Sequence, residues 1–214
     1  MKLLLPERKD GQVIGYPINH ERGKRFYFLG GPIQGGDDWQ AEAIKLLMQK
    51  DPDCYIVCPC RYNDSDELYK FLWKPQGAPL LFQSQTKWER YYLHEAAIHG
   101  CVIFWLPVES KTKPRKKEDG PYGRETYGEL GRWSMSSACT ITPNHHKFFD
   151  PEKPKHVNIA IGAEFEFPGL KQIQDNFNED HQGRFLFHSS LEFTITEAVR
   201  LGKEVSPQPF GFND

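Results

Sequence analysis

Two glutamates four residues apart mark the segment best suited to chemistry. Glu125 and Glu129 lie in the sequence 124–133, where this spacing predicts that both occupy one face of a helix. Like charges at that spacing destabilise a helix, and Gly128 and Gly131 each cost about 1 kcal/mol relative to alanine. A helix that is locally unfavourable in these ways often serves a function. An ordinary surface helix whose neighbouring arginines neutralise the glutamates explains the pattern equally well.

A glycine-rich turn at 27–37 is the second candidate, and it contains Gly30, Gly31, Ile33 and Gln34. Glycines let a ligand approach the backbone, and the start of the following helix favours an anion. The turn lacks the Gly-Lys-Ser/Thr ending of a phosphate-binding loop and the Gly-x-Gly-x-x-Gly pattern of dinucleotide-binding proteins. Its aspartates also argue against a phosphate at the helix start. A plain tight turn between a strand and a helix remains the alternative.

The third candidate is Glu89, which follows Trp88 in an amphipathic segment. Its ordinary interpretation is an exposed helix glutamate. The apolar side chains of Trp88 and Trp105 would favour a protonated carboxyl if they surrounded it. Glu89 is therefore of interest because of the other groups that the fold brings near it.

The composition of the chain disfavours nucleic acid, membrane and metal partners. The chain has 214 residues with 27 Lys and Arg against 29 Asp and Glu, so no excess positive charge favours a nucleic acid polymer. No apolar run approaches the ~18 residues of a membrane span, and the N-terminal apolar run is too short for a signal peptide. We therefore expect a cytoplasmic protein without a membrane partner. The five cysteines lack the spacing of a zinc site, so we predict neither a metal nor a cofactor.

Strand and helix patterns alternate along most of the chain. Strands are predicted at 25–29, 54–59, 101–106, 157–162 and 185–187, and helices at 37–50, 86–99, 124–137 and 189–201. This order predicts an α/β fold, a doubly wound, flavodoxin- or Rossmann-like and mostly parallel five-stranded sheet with helices on both faces. Ligands bind such sheets at the carboxyl ends of the strands. The loops after residues 29, 59 and 106 should therefore form the site.

Three regions divide the chain. Residues 1–23 are expected to form an N-terminal arm with a hairpin around Asp10-Gly11, residues 24–202 the α/β domain, and residues 203–214 a C-terminal tail. The charged segment 108–121 is interpreted as a solvated loop or a lid.

Together the candidate segments resemble the nucleoside 2-deoxyribosyltransferase family, in particular its deoxyribosyltransferase-like branch. The resemblance covers roughly residues 25 to 162. Its most specific element is the Glu-Leu-Gly motif at 129–131. The other matching segments are 27–33 with Trp39-Gln40, Trp88-Glu89, and 102–107.

The resemblance implies a role for each candidate residue. Glu129 would attack the anomeric carbon, Tyr27 would orient that nucleophile, and Glu89 would handle the proton of the leaving base. Family members often carry an aspartate where this chain has Gly123, with Glu125 as a possible substitute. On this basis Glu129 should be ionised and Glu89 protonated. The predicted substrate-binding residues are Gly30, Gly31, Ile33, Gln34, Trp88, Trp105 and Glu125.

The expected function is cleavage or transfer at the N-glycosidic bond of a nucleoside or nucleoside monophosphate. Strict hydrolysis of a nucleotide is one alternative, and it would need cations near the 5′-phosphate, from Arg132 or from the loop carrying Arg115 to Lys117. A non-catalytic nucleotide-binding or sensor module is another, which Gly123 favours. The resemblance further implies a homo-oligomer. The phenylalanines at 165, 167, 177, 185 and 187 support it weakly, because core packing explains them as well.

Overall fold

The computed structural model describes residues 1–17, 24–60, 62, 65–138, 158–181 and 186–204. The strands are β1 (Lys2–Leu4), β2 (Glu7–Lys9), β3 (Gln12–Gly15), β4 (Arg25–Gly30), β5 (Cys54–Val57), β6 (Leu80–Phe82), β7 (Gly100–Leu106), β8 (Ile159–Ala163) and β9 (Phe187–His188). The helices are α1 (Trp39–Lys50), α2 (Gln85–His99), α3 (Arg124–Ala138), α4 (Leu170–His181) and α5 (Leu191–Glu204). Short 3-10 helices lie at Glu67–Phe71 and Lys117–Asp119.

The central sheet has six strands in the order β1-β5-β4-β7-β8-β9, and every neighbouring pair is parallel. Counted from β4, the five later strands follow the flavodoxin-like order 2-1-3-4-5. The strand order reverses between β4 and β7, and β7 is buried along its whole length. The predicted doubly wound α/β fold is confirmed, with one strand more than expected.

Helices cover both faces of this sheet. One apolar cluster joins the sheet to α1 and α5, and a second joins it to α2, α3 and α4. Because side chains alternate along a strand, Phe26 and Phe28 of β4 belong to the α2 side, whereas Tyr27 and Leu29 belong to the α1 side. This alternation decides which β4 residues can reach a site on either face.

The extra strand comes from the predicted N-terminal arm. Residues Lys2–Leu4 pair with β5, with Leu3 opposite Ile56, so the start of the chain is part of the main sheet rather than an appendage. The predicted hairpin is present between β2 and β3, where Asp10 and Gly11 adopt φ values of 50° and 78°. Strand β6 pairs with β3 and completes a small second sheet. A three-residue apolar run was too short to indicate a strand from sequence alone.

Three further elements differ from the sequence prediction. Helix α4 was not predicted, α5 continues to Glu204, and the last strand begins at Phe187. Val157, Phe185 and the predicted tail after Glu204 lie outside the described residues. In the described part of the chain, no helix is both long and apolar enough to cross a membrane. The four cysteines described there are free thiols, and three of them are buried.

Candidate active site

A cleft of about 570 Å³ opens at the carboxyl ends of β4 and β5, beside the point where the strand order reverses. This is the place that the parallel topology predicts for a ligand. The residues lining it are Phe28, Gly30, Gly31, Pro32, Ile33, Gln34, Pro59, Cys60, Gln85, Glu89, Arg115, Gly123, Glu125, Thr126 and Glu129.

The two predicted catalytic carboxyls face this cleft from different helices. Glu89 lies near the start of α2, and Glu129 lies in α3. The side-chain amide of Gln85 donates hydrogen bonds to Glu89 Oε1 at 2.9 Å and to the Pro59 carbonyl at 3.1 Å. Glu89 is thereby tied to the loop after β5.

The carboxyl of Glu129 holds its proton more tightly than an isolated glutamate. Burial raises its pKa from 4.5 to about 7, and the neighbouring charges of Glu89 and Glu125 act in the same direction. Burial among other carboxyls therefore opposes the ionised state that the resemblance implied for Glu129. Near pH 7 this group can both gain and lose a proton, which suits acid–base or nucleophilic chemistry.

Glu125, the third carboxyl, is held by Arg115. The guanidinium donates to both oxygens of Glu125, from Nη1 to Oε2 at 2.7 Å and from Nη2 to Oε1 at 2.9 Å. These bonds lower the pKa of Glu125. The Arg115 side chain is only 8% exposed, its Nη2 also donates to the Asp119 carbonyl at 2.6 Å, and its buried Nε has no hydrogen-bond partner. The pair therefore forms one wall of the cleft.

The charged loop at 108–121 packs on the glycine-rich turn. The Ser110 amide donates to the Gly35 carbonyl at 2.7 Å, and the Tyr122 hydroxyl donates to the Pro107 carbonyl at 2.9 Å. A Cβ on Gly35 would lie 2.7 Å from the backbone nitrogen of Arg115, so only glycine permits the two segments to approach this closely. Part of the predicted solvated loop or lid is thus a packed wall of the cleft.

The glycine-rich turn itself depends on Gly31. Its φ is +142°, and a Cβ there would lie 2.2 Å from the Trp105 carbonyl oxygen. Trp39 donates from Nε1 to the Pro32 carbonyl at 2.9 Å, which fixes the turn against the first residue of α1. The predicted binding residues Gly30, Ile33 and Gln34 line the cleft through this turn.

The structure does not bring Tyr27 to the cleft. Its side chain points toward the α1 side of the sheet, and its hydroxyl donates to Asp51 Oδ2 at 2.9 Å. Arg25 forms an ion pair with the same carboxylate. The predicted orienting role of Tyr27 is therefore corrected. The physical reason is strand alternation, which gives Phe28 rather than Tyr27 to the cleft.

Trp88 and Trp105 also lie outside the cleft. Trp88 is fully buried against the sheet and Tyr92. Trp105 belongs to the α1 side and lines a second cleft, of about 490 Å³, together with Asp37 and Glu164. The structure therefore does not bring the two tryptophans to the cleft that Glu89 and Glu129 line, contrary to their predicted place among the substrate-binding residues.

Sequence reasoning missed several lining residues. Gln85 had a usable signal, since it stands four residues before Glu89 on one helix. Arg115 was considered only as one of the loop cations that could meet a 5′-phosphate, and nothing in the sequence indicated that it would pair with Glu125. Gly123 has φ +74°, and a Cβ there would lie 3.0 Å from Phe167, so an aspartate at this position would be strained. Arg132 is in α3, but its side chain lies outside the described part.

No protein-family model, curated protein or solved structure matches this chain.

Proposed function

We propose that this protein cleaves or transfers at the N-glycosidic bond of a nucleoside or nucleoside monophosphate. The observation that carries the proposal is the convergence of Glu89 and Glu129 on one cleft, where the charge of Glu89 contributes to the raised pKa of Glu129. Two carboxyls on one cleft, one to act as nucleophile and one as acid, are the groups that glycosidic cleavage commonly uses.

The two carboxyls take complementary roles in this proposal. The Glu129 carboxylate attacks the anomeric carbon while Glu89 donates a proton to the departing base nitrogen, which breaks the N-glycosidic bond and leaves a glycosyl ester on Glu129. Water or a second base then attacks the same carbon, and the Glu89 carboxylate takes a proton from this attacking molecule. The ester bond breaks, and Glu129 is regenerated as a carboxylate.

In this proposal the reaction begins with one proton on the two carboxyls. The charge of Glu89 adds to the effect of burial in raising the pKa of Glu129, so the ionisation of Glu129 depends on Glu89. The reactive arrangement has that proton on Glu89 and the charge on Glu129. The amide of Gln85 keeps Glu89 beside the Pro59 loop during the exchange.

A covalent adduct tests the assignment directly. Incubation with 2-fluoro-substituted nucleosides should leave a sugar-sized mass increase on the peptide that contains Glu129, since fluorine slows release of the intermediate. Glu129→Ala should form no adduct and release no base, yet still bind nucleosides. Glu179→Gln, an exposed change on α4, is the control and should behave as wild type. An active Glu129→Ala variant contradicts the assignment.

A non-catalytic binding module is the second candidate. It is favoured by the position of Tyr27, whose hydroxyl is engaged by Asp51 rather than by a catalytic carboxyl. On this alternative, the wild type binds nucleosides by titration calorimetry but releases no free base over days. Chromatography of the same samples separates the two candidates.

A further inference from the structure

We propose that the hydroxyl of Thr126 makes the cleft select N-glycosides whose sugar carries a 2′-hydroxyl, the ribonucleosides, over their 2′-deoxy counterparts. This inference rests on the proposed function, because it concerns the sugar that the same cleft binds.

The burial of Thr126 is the first observation. The residue lies in the first turn of α3, is 3% exposed and lines the cleft. Within the described part of the chain, the buried residues with polar or charged side chains are Gln40, Asp51, Ser110, Thr126 and Thr194. The side chains of the other four are hydrogen-bonded to protein groups, and none of those four lines this cleft.

The hydroxyl of Thr126 is the second observation, since it forms no hydrogen bond with any described residue. Helical threonines often donate to the carbonyl four residues earlier, as Thr194 and Thr196 of α5 do at 2.9 and 2.8 Å. Among the described residues, the side-chain polar atoms that are both closed to solvent and without a partner are Trp88 Nε1, Arg115 Nε and His188 Nε2. Thr126 Oγ1 is not one of them, so it is open to the cleft that the residue lines.

The position of Thr126 on α3 sets what its hydroxyl can reach. Thr126 lies three residues before Glu129, and both side chains line the cleft. Side chains at this spacing share one face of a helix, with about 5–6 Å between their Cβ atoms. A sugar whose anomeric carbon lies at the Glu129 carboxylate therefore brings the adjacent carbon, C2′, within reach of Thr126.

A 2′-hydroxyl is the sugar group that matches this position. The threonine hydroxyl can both donate and accept, so it can pair with the 2′-hydroxyl of a ribonucleoside in either direction. A 2′-deoxy sugar presents a methylene there and would leave the buried Thr126 hydroxyl desolvated without a partner, which disfavours its binding. Because both hydroxyls are neutral, the contact depends neither on the protonation of the cleft carboxyls nor on a cation.

The test compares ligands that differ only at C2′ and cannot be cleaved. Carbocyclic analogues of the common ribonucleosides, in which a methylene replaces the ring oxygen, are titrated calorimetrically beside their 2′-deoxy forms. The wild type should bind at least one ribonucleoside analogue, and that analogue at least fivefold more tightly than its 2′-deoxy form. Because the readout is binding, it does not depend on turnover.

Thr126→Val should abolish this preference, because valine keeps the shape of threonine and lacks the hydroxyl. Its affinity for the ribonucleoside analogue should fall at least fivefold, while its affinity for the 2′-deoxy form changes less than twofold. Thr126→Ala also lacks the hydroxyl and should give the same result, which keeps the test in force if the valine variant does not fold. Thr126→Ser keeps the hydroxyl and should keep the preference.

Thr196→Val is the matched control. It removes a threonine hydroxyl from an exposed position of α5, where that hydroxyl bonds the helix itself. This variant should bind both sugars as the wild type does. Thermal unfolding verifies that each variant is folded before its affinities are compared.

Each contrary outcome has a separate meaning. A wild type that binds the two sugars equally, or the 2′-deoxy form more tightly, overturns this inference but leaves the proposed function standing. A preference that persists in folded Thr126→Val or Thr126→Ala, or that is lost in Thr126→Ser, also overturns it. A wild type that binds neither form removes the proposed function and this inference together.

Discussion

Tyr27 illustrates how a single residue can match a motif and still face away from the candidate site. Its neighbours Gly30 and Gly31 line the cleft, yet the Tyr27 side chain is fully buried on the opposite face of the sheet. There it hydrogen-bonds Asp51, a buried carboxylate that also pairs with Arg25. The three side chains anchor β4 to the carboxyl end of α1, where Asp51 is the cap, away from the cleft.

Tyr27→Phe should consequently affect stability rather than turnover. One hydrogen bond to a buried carboxylate is lost, so the free energy of unfolding should fall by about 1–2 kcal/mol. The rate of base release at saturating nucleoside should change less than twofold. Urea unfolding and a turnover assay on the same preparation measure the two effects. A large loss of turnover at unchanged stability would instead support the orienting role that the resemblance implied.

The sequence predicted which carboxyls line the cleft, but not the surroundings that shift the pKa values of Glu125 and Glu129. Glu89, Glu125 and Glu129 were identifiable because motif position and helical spacing are local properties. The pKa of Glu129 and the pairing of Glu125 with Arg115 depend on contacts between distant segments. No rule of spacing within one helix could have supplied those contacts.

At the scale of elements, the site depends on how closely the turn after β4 approaches the end of the neighbouring strand β7. Gly31 passes so near the Trp105 backbone that a side chain has no room, whereas a methyl group added to Gly128 on α3 would meet nothing within 4 Å. The two glycines therefore differ in what requires them. Packing around the cleft requires a glycine at position 31 but not at position 128.

Substitution by alanine at these two positions should have opposite effects. Gly31→Ala should destabilise the protein by at least about 2 kcal/mol and weaken nucleoside binding, because the turn must move away from Trp105. Gly128→Ala should raise the free energy of unfolding by up to about 1 kcal/mol and leave binding intact. Denaturant unfolding and calorimetric titration measure both. Equal destabilisation by the two changes would contradict this account of the turn.

The elements themselves were predictable where the pattern was long. The apolar run of β7 and the alternation of strands with helices indicated the parallel sheet, because burial on both faces leaves a continuous apolar signature. The short strand β1 and the amphipathic helix α4 were missed. In β1 two apolar residues are too few to show a period, and the pairing of this strand with β5 is a long-range contact.

At the scale of the whole molecule, the homo-oligomer stays a prediction. Phe167 and Phe177 are buried within the chain itself, whereas Phe165 is 93% exposed. We expect light scattering to give at least twice the mass of one chain. If Phe165 contributes to the contact between chains, Phe165→Ser should shift the protein toward a single-chain mass without lowering its unfolding temperature. A wild-type mass equal to one chain would contradict the oligomer.

The cleft should also shape how the whole molecule responds to pH. Folding places Glu129 where its charged form is disfavoured. The Glu129 carboxyl therefore binds its proton more tightly in the folded state than in the unfolded chain. Between pH 4.5 and about 7 the free energy of unfolding therefore falls as the pH rises, and above about 7 the loss is complete. At 1.36 kcal/mol per pKa unit, the full loss is at most about 3 kcal/mol.

Glu129→Gln should remove this loss, because the amide has nearly the same shape and no charge. At pH 8.5 the variant should be more stable than the wild type by about 1–3 kcal/mol, and at pH 4.5 the difference should be much smaller. Glu179→Gln, on the exposed face of α4, should show no such pH-dependent gain. Chemical unfolding of all three proteins at both pH values provides the comparison. A gain of equal size at both pH values would mean that Glu129 is not titrating in this range, and that its burial among the cleft carboxyls does not limit the stability of the fold.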